Sequence, residues 1–316
     1  MKLNDVKHIG IIGNGMIGIS MSVLTTGHGY KTTCLVRNEA KIPEYEAAVK
    51  KYFDQMIAHE VMPKNQFEIC KKYLTYTSDL SDLADCEIIY ECLPEALDLK
   101  HEMYAKIEET CPNVRAICSV TSTIVAEDLG AKMTKYKDRI IVTHPFHPAH
   151  FVPFFELCGN SSTSPEAMQF AVEVLESLDR KPVVLKKPTP GFIGNRLQFA
   201  LWREAVNLVE SGVCDMRDID TCLNYSFANR YTTIGIFEHF DSGGMLLNKA
   251  GCEGTWPHLS NRTEAPELVT DRIARGDMGM KSGVGFYDWR NEDMDAYQER
   301  VSAPYWKFIN WDYPTE

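Results

Sequence analysis

Residues 6–18 read VKHIGIIGNGMIG, a β-branched run that breaks into Gly13-Asn14-Gly15-Met16-Ile17-Gly18. A helical pattern over about 16–26 and a second β-branched run, KTTCLV at 31–36, complete a strand-turn-helix-strand unit. In that context each glycine has a task. Gly13 permits the tight turn, Gly15 lets a pyrophosphate approach the backbone, and Gly18 lets the helix pack close to the sheet. Backbone N–H groups around Met16 and Ile17 would face the phosphates, because the first turn of a helix leaves its donors unpaired.

The end of the second strand bears on the cofactor. NAD-binding units usually carry an acidic residue there for the adenine ribose, whereas this chain reads Cys34-Leu35-Val36-Arg37-Asn38-Glu39. Arg37 stands about where the carboxylate belongs, and its guanidinium can fork onto a 2′-phosphate, which favours NADP over NAD. The alternatives are that Arg37 is solvated or stacks on the adenine of NAD, with Glu39 or another residue holding the ribose.

Outward from this unit, strands are expected at 86–91, 116–120, 139–144 and 181–186, and helices at 98–110 and 165–179, the latter capped by Ser164-Pro165-Glu166. Residues 39–73 read as a helical insertion. At KKPTPGFIGNR, 186–196, strand signals end and helical spacing takes over. The fold class is therefore α/β, a Rossmann-type dinucleotide-binding domain over 1–187 followed by an all-α domain over 188–316.

The stretch THPFHPAHFVPFFE, 143–156, places histidines at 144, 147 and 150. Pro145 and Pro148 forbid the helix that could gather the three on one metal, and a strand sends i and i+3 to opposite faces, so no metal is expected. His144 instead ends a strand, where ligands gather in open α/β sheets. An imidazole there can take a hydroxyl proton if a carboxylate orients it, and Glu156, among phenylalanines, would be costly unless paired. An extended segment should bring Glu156 back to His144. His147 and His150 read as structural rather than catalytic, and Glu91, at a strand end, reads as a cofactor-side contact or a solvated rim.

Acidic residues outnumber basic ones 44 to 33, and no basic run offers a nucleic-acid footprint. No stretch of about 18 apolar residues suits a membrane, and the start runs straight into a core strand; a cytoplasmic protein is expected. Ten cysteines without a CxxC pair read as buried, reduced thiols.

GNGMIG, YECLPEALDLK, SVTSTI, THPFHPAHFVPFFEL, PTPGFIGNRLQFALWREA and RGDMGMKSGVGFYDW, in this order, resemble the 3-hydroxyacyl-CoA dehydrogenase superfamily. Within it they look most like the branch of L-gulonate 3-dehydrogenase (lambda-crystallin) and L-carnitine dehydrogenase. The resemblance implies His144 as catalytic base, Glu156 as its partner, and Ser122 and Asn195 as hydrogen-bond donors to the substrate oxygen. It also implies a homodimer through the helical domain, and an active site between the domains. His147 stands where relatives carry asparagine. One extra residue separates Ser122 from His144 compared with the acyl-CoA enzymes, which leaves a donor one register away open.

The expected activity is the NAD- or NADP-dependent interconversion of an L-3-hydroxy acid, free or as its CoA thioester, with the 3-oxo form. The competing reading is a dinucleotide-binding protein kept for structure or sensing, as the crystallin resemblance permits.

Overall fold

The computed structural model describes residue 3 and residues 5–315. Eight strands form one sheet in the order β3-β2-β1-β4-β5-β6-β7-β8. They are β1 His8–Ile12, β2 Lys31–Leu35, β3 Leu74–Thr77, β4 Ile88–Glu91, β5 Ala116–Ser119, β6 Ile140–Pro145, β7 Phe154–Gly159 and β8 Lys181–Val184. Neighbouring strands run parallel except for the antiparallel pair β6–β7. The chain builds β1 to β3 in one direction and then returns to place β4 on the other side of β1. Strand order therefore reverses at β1/β4, the point where open α/β sheets leave a crevice beyond their carboxyl ends.

Helices α1 Met16–Gly27, α2 Ile42–Ala58, α3 Gln66–Cys70, α4 Leu97–Thr110, α5 Ala126–Leu129 and α6 Pro165–Ser177 accompany the sheet. Alternate strand residues feed two cores. Ile9, Ile11, Ile88, Tyr90, Ala116 and Cys118 pack in one, and Ile12, Ile89, Ile117 and Val142 in the other. Burial on both faces explains why these strands read as unbroken apolar runs. Ser164 caps α6 by accepting the Ala167 N–H at 3.1 Å.

Two strands escaped the sequence reading. β3 is only LTYT and lies at the sheet edge, so it carries little apolar signal. The segment leading to Glu156 is a full strand, β7, hydrogen-bonded to both β6 and β8.

The chain divides into two compact units. One holds residues up to Phe192 together with those from Gln298 on, and the other runs Ile193–Tyr297. The second unit contains α7 Gly194–Glu210, α8 Met216–Tyr225, α9 Phe227–Arg230, α10 Ile236–Gly243, α11 Met245–Thr255 and α12 Glu267–Arg275, while α13 Met294–Ser302 crosses the boundary. The sequence reading kept 188–316 as one piece; residues 298–315 group with the first unit instead. The physical reason is aromatic packing. Trp306 stacks on His59 with ring centroids 3.7 Å apart, and Trp311, 5% exposed, lies against His28 so closely that a Cβ on Gly27 would come within 2.6 Å of its ring. Gln66 Nε2 donates to the Pro314 carbonyl at 2.9 Å. Among the described residues, no helix is long and apolar enough to cross a membrane.

Candidate active site

The glycine turn is shaped by three different demands. Gly13 has φ +100°, and a Cβ there would lie 2.7 Å from the Cys92 carbonyl oxygen. A Cβ on Gly18 would lie 1.9 Å from the Gly13 carbonyl oxygen, so α1 can sit this close to the turn only with glycine at that position. A Cβ on Gly15 would meet nothing within 4 Å. Open space lies over Gly15, which is the N-cap of α1, and no side chain caps the helix and no acidic residue stands in its first turn. Met16 is 61% exposed at the mouth, whereas Ile17 packs partly on the core. An open cradle of unclaimed N–H donors fits a dinucleotide pyrophosphate.

Beyond β2, Arg37 is exposed. Glu39 accepts from Ser78 through the hydroxyl at 2.5 Å and the N–H at 3.2 Å.

Glu91 departs from its expected role. It is fully buried, and its carboxylate accepts from Lys100 Nζ at 2.7 and 3.0 Å, Tyr104 OH at 2.6 Å, Ser119 Oγ at 2.7 Å and the Leu93 N–H at 2.7 Å. All its lone pairs serve the protein interior, so the cofactor contact assigned to Glu91 is corrected to an internal brace between β4, α4 and β5. The reading failed because a strand-end glutamate looks the same from sequence whether it faces the crevice or a lysine one helical turn into α4.

The antiparallel register of β6 and β7 sets His144 opposite Glu156. His144 Nδ1 lies 3.1 Å from Glu156 Oε2, with the histidine 5% exposed and the glutamate fully buried. A carboxylate only accepts, so Nδ1 carries the proton and Nε2 keeps its lone pair. Phe192 and Phe146 flank the imidazole, ring centroids 5.2 and 5.7 Å away. These apolar walls limit competing water. An arrangement of this kind can hold an imidazole in one orientation and one tautomer.

The other histidines turn elsewhere. His147 is exposed. His150 is fully buried: its Nδ1 meets Ser20 Oγ of α1 at 2.7 Å, and Tyr52 lies against its ring at 4.1 Å. Burial, with the Arg180 guanidinium nearby, pushes the His150 pKa well below its ordinary value.

After β5, Thr121 and Ser122 differ sharply. The Thr121 hydroxyl is buried and donates to Glu95 Oε2 at 2.7 Å while accepting the N–H groups of Thr123 and Ile124. Ser122 is exposed, and among the described residues its hydroxyl makes no hydrogen bond. Asn195 lies in the first turn of α7, in the second unit. Glu95 was not singled out by the sequence reading; a glutamate just before a helix reads as a dipole partner and nothing more.

A sheet whose strand order reverses beside such a glycine turn defines a dinucleotide-binding fold. Residues 8–188 match the 3-hydroxyacyl-CoA dehydrogenase NAD binding domain and residues 191–289 match the 3-hydroxyacyl-CoA dehydrogenase C-terminal domain. The chain belongs to the 3-hydroxyacyl-CoA dehydrogenase family and is an NAD-dependent oxidoreductase. It is 31% identical over 315 residues to an L-carnitine dehydrogenase of Mesorhizobium japonicum, covering 95% of this chain and 85% of the relative. Among solved structures it resembles a 5-formyl-3-hydroxy-2-methylpyridine 4-carboxylic acid 5-dehydrogenase, described as an NAD+ dependent dismutase, with TM-score 0.84, 26% identity and 96% of each chain covered. The fold also matches a 3-hydroxybutyryl-CoA dehydrogenase of Escherichia coli, with TM-score 0.75 and 23% identity over 92% of this chain and 61% of that one.

Two outcomes follow from this geometry. Gly15→Ala should fold with a melting temperature close to wild type yet weaken NAD binding by about tenfold or more, since its Cβ fills the space a pyrophosphate needs. Gly18→Ala should lose the folded state first, which thermal melts without ligand would reveal. The second outcome concerns acid. His150 stays neutral in the folded chain but protonates in the unfolded one below its ordinary pKa of about 6.5. Its contribution to stability is therefore complete above about pH 6.5 and falls by up to about 1.4 kcal/mol per unit as pH drops below that value. Urea midpoints between pH 7.5 and 5 should decline, and His150→Gln should flatten the decline.

Proposed function

We propose that this chain oxidises a free L-3-hydroxy acid to its 3-oxo acid, with His144 as the base. The observation that carries the reading is the 3.1 Å approach of His144 Nδ1 to Glu156 Oε2 across an antiparallel strand pair. His144 Nε2 takes the hydroxyl proton, and the Glu156 carboxylate stabilises the imidazolium that forms. Ser122 holds the substrate oxygen through its unspent hydroxyl, and Asn195 is assigned the second donor on the family resemblance alone. The backbone of Gly13, Gly15, Met16, Ile17 and Gly18 receives the pyrophosphate. When bound, the nicotinamide accepts the hydride as the proton leaves.

Support for a free acid comes from the full-length relatives named L-carnitine dehydrogenase at about 31% identity, whereas the acyl-CoA enzyme above matches as a fold. Arg37 is proposed to widen cofactor use toward NADP, because its exposed guanidinium stands at the ribose end of β2. The helical unit is proposed to pair with a second copy. Its Phe237, Leu246 and Leu247 are 89%, 87% and 67% exposed, an apolar surface of the kind monomers rarely leave open.

A turnover screen should pair L-carnitine, L-3-hydroxybutyrate, L-gulonate and L-3-hydroxybutyryl-CoA with NAD and with NADP. A free acid should be fastest; if only the thioester reacts, the substrate assignment fails, and if none reacts, a binding role is favoured. A preference for NAD over NADP beyond about tenfold, roughly 1.4 kcal/mol, would remove the role given to Arg37. His144→Gln should cost about a hundredfold or more in kcat, and Glu156→Gln a comparable factor, with NAD binding retained. Equilibrium sedimentation should return twice the monomer mass; a single-chain mass at micromolar concentration would rule out the pairing.

A further inference from the structure

We propose that Ser20 and His150 are positioning residues for the His144–Glu156 pair, an assignment that rests on the reading of His144 as the base given above. The helix α1, whose N-terminus forms the glycine cradle, carries buried hydroxyls at Ser20, Ser22, Thr25 and Thr26. The last three bond back to their own helix. Ser22 donates to the Gly18 carbonyl at 2.8 Å, Thr25 to that of Met21 at 2.9 Å and Thr26 to that of Ser22 at 2.6 Å. Ser20 turns away instead. Its Oγ accepts the His150 backbone N–H at 3.1 Å and lies 2.7 Å from His150 Nδ1. Among the described residues no other acceptor takes its proton, so the hydroxyl donates to Nδ1.

His150 sits in the turn that joins β6 to β7, and its neighbours are gripped as well. The buried Arg180 donates through Nη1 to the carbonyls of Ala149 and His150, at 3.1 and 3.3 Å. Tyr52 of α2 lies against the His150 ring, and Trp306 packs edge-on against Phe151 with ring centroids 4.7 Å apart. Within the turn the Pro148 carbonyl accepts the N–H groups of Phe151 and Val152, each at 2.9 Å. Below it the two strands run in the register Pro145 to Phe155 and His144 to Glu156. Ser20 is the part of this grip that comes from the cofactor helix, about 7 Å along its axis from Gly15. One hydroxyl thus ties the cradle for the cofactor to the turn that carries the proposed base.

Packing alone does not ask for a serine and a histidine here. Alanine and leucine would occupy much of the same space without taking two polar side chains out of water. The hydrogen bonds add a fixed distance and direction, so the turn has one setting against α1 where an apolar contact would allow several. The same chemistry supplies a way to separate positioning from packing. An asparagine at 150 would place its side-chain oxygen about where Nδ1 stands, since both atoms are bonded to Cγ. Leucine branches at the same carbon and offers no acceptor.

The test is a cycle of Ser20→Ala, His150→Leu and the double variant, with His150→Asn alongside, assayed on whichever of L-carnitine, L-3-hydroxybutyrate or L-gulonate the wild type oxidises fastest with NAD. Turnover is counted per NAD-binding site, so that unfolded chains do not enter. Ser20→Ala and His150→Leu should each lower kcat about tenfold, the scale of loss expected when a reacting group is misplaced by a fraction of an ångström, while NAD affinity stays within about threefold. His150→Asn should stay within about threefold of wild type in kcat. The double variant should lie within about twofold of His150→Leu, because the contact can be lost only once. Equal losses in His150→Asn and His150→Leu, losses that multiply in the double variant, or a Ser20→Ala enzyme at full rate would each overturn the positioning role while His144 keeps its own. Should Ser20→Ala not fold, the comparison of asparagine with leucine at 150 decides alone. A His144→Gln enzyme that turns over at the wild-type rate overturns the base reading and this inference with it, a result distinct from the others.

Discussion

The reversal of strand direction between β6 and β7 organises the candidate site of this molecule. Every other neighbouring pair in the sheet runs parallel, and a parallel neighbour could not have followed β6 after so short a connection. Turning back at once sets residues twelve apart in sequence side by side, with His144 and Glu156 on the same face of the sheet. The pairing costs little beyond the turn itself, because backbone hydrogen bonds fix it before any side chain is involved. The buried Glu156 is tolerable because the imidazole lies against it.

A buried ion pair sits across the switch point. Glu91 and Lys100 are both fully buried, and an ion pair taken from water is seldom a net gain in stability. Its geometry is nonetheless complete, with Tyr104, Ser119 and the Leu93 N–H filling the remaining sites. Such a network makes one arrangement of the β4–α4 connection better than its alternatives. That connection contacts the glycine turn, where the Gly13 and Gly18 contacts leave fractions of an ångström to spare.

Much of this was legible in the sequence. The strand-turn-helix start announces itself through glycines whose three spatial demands differ, and the His144–Glu156 pair through the cost of a lone glutamate in FVPFFEL. Long apolar strands were visible for the same reason that they are buried on both faces. What stayed hidden has physical causes. LTYT is too short and too polar at the sheet edge to stand out. Glu91 and Glu95 lie four residues apart in one motif, and no pattern tells which turns inward to Lys100 and which outward to Ser122. The C-terminal segment owes its place to Trp306 and Trp311, whose partners His59 and His28 are far away in sequence.

That last arrangement bears on how the protein is made. The nucleotide-binding unit is interrupted by the helical one, since the chain leaves it after Phe192 and rejoins it at Gln298. The surface that Trp311 covers includes Gly27 and His28, which are synthesised long before their cover, with the whole helical unit in between. An emerging chain therefore holds an exposed apolar seam until the segment after Gln298 has followed the helical unit, so the unit that begins folding first is sealed only after the second has been made.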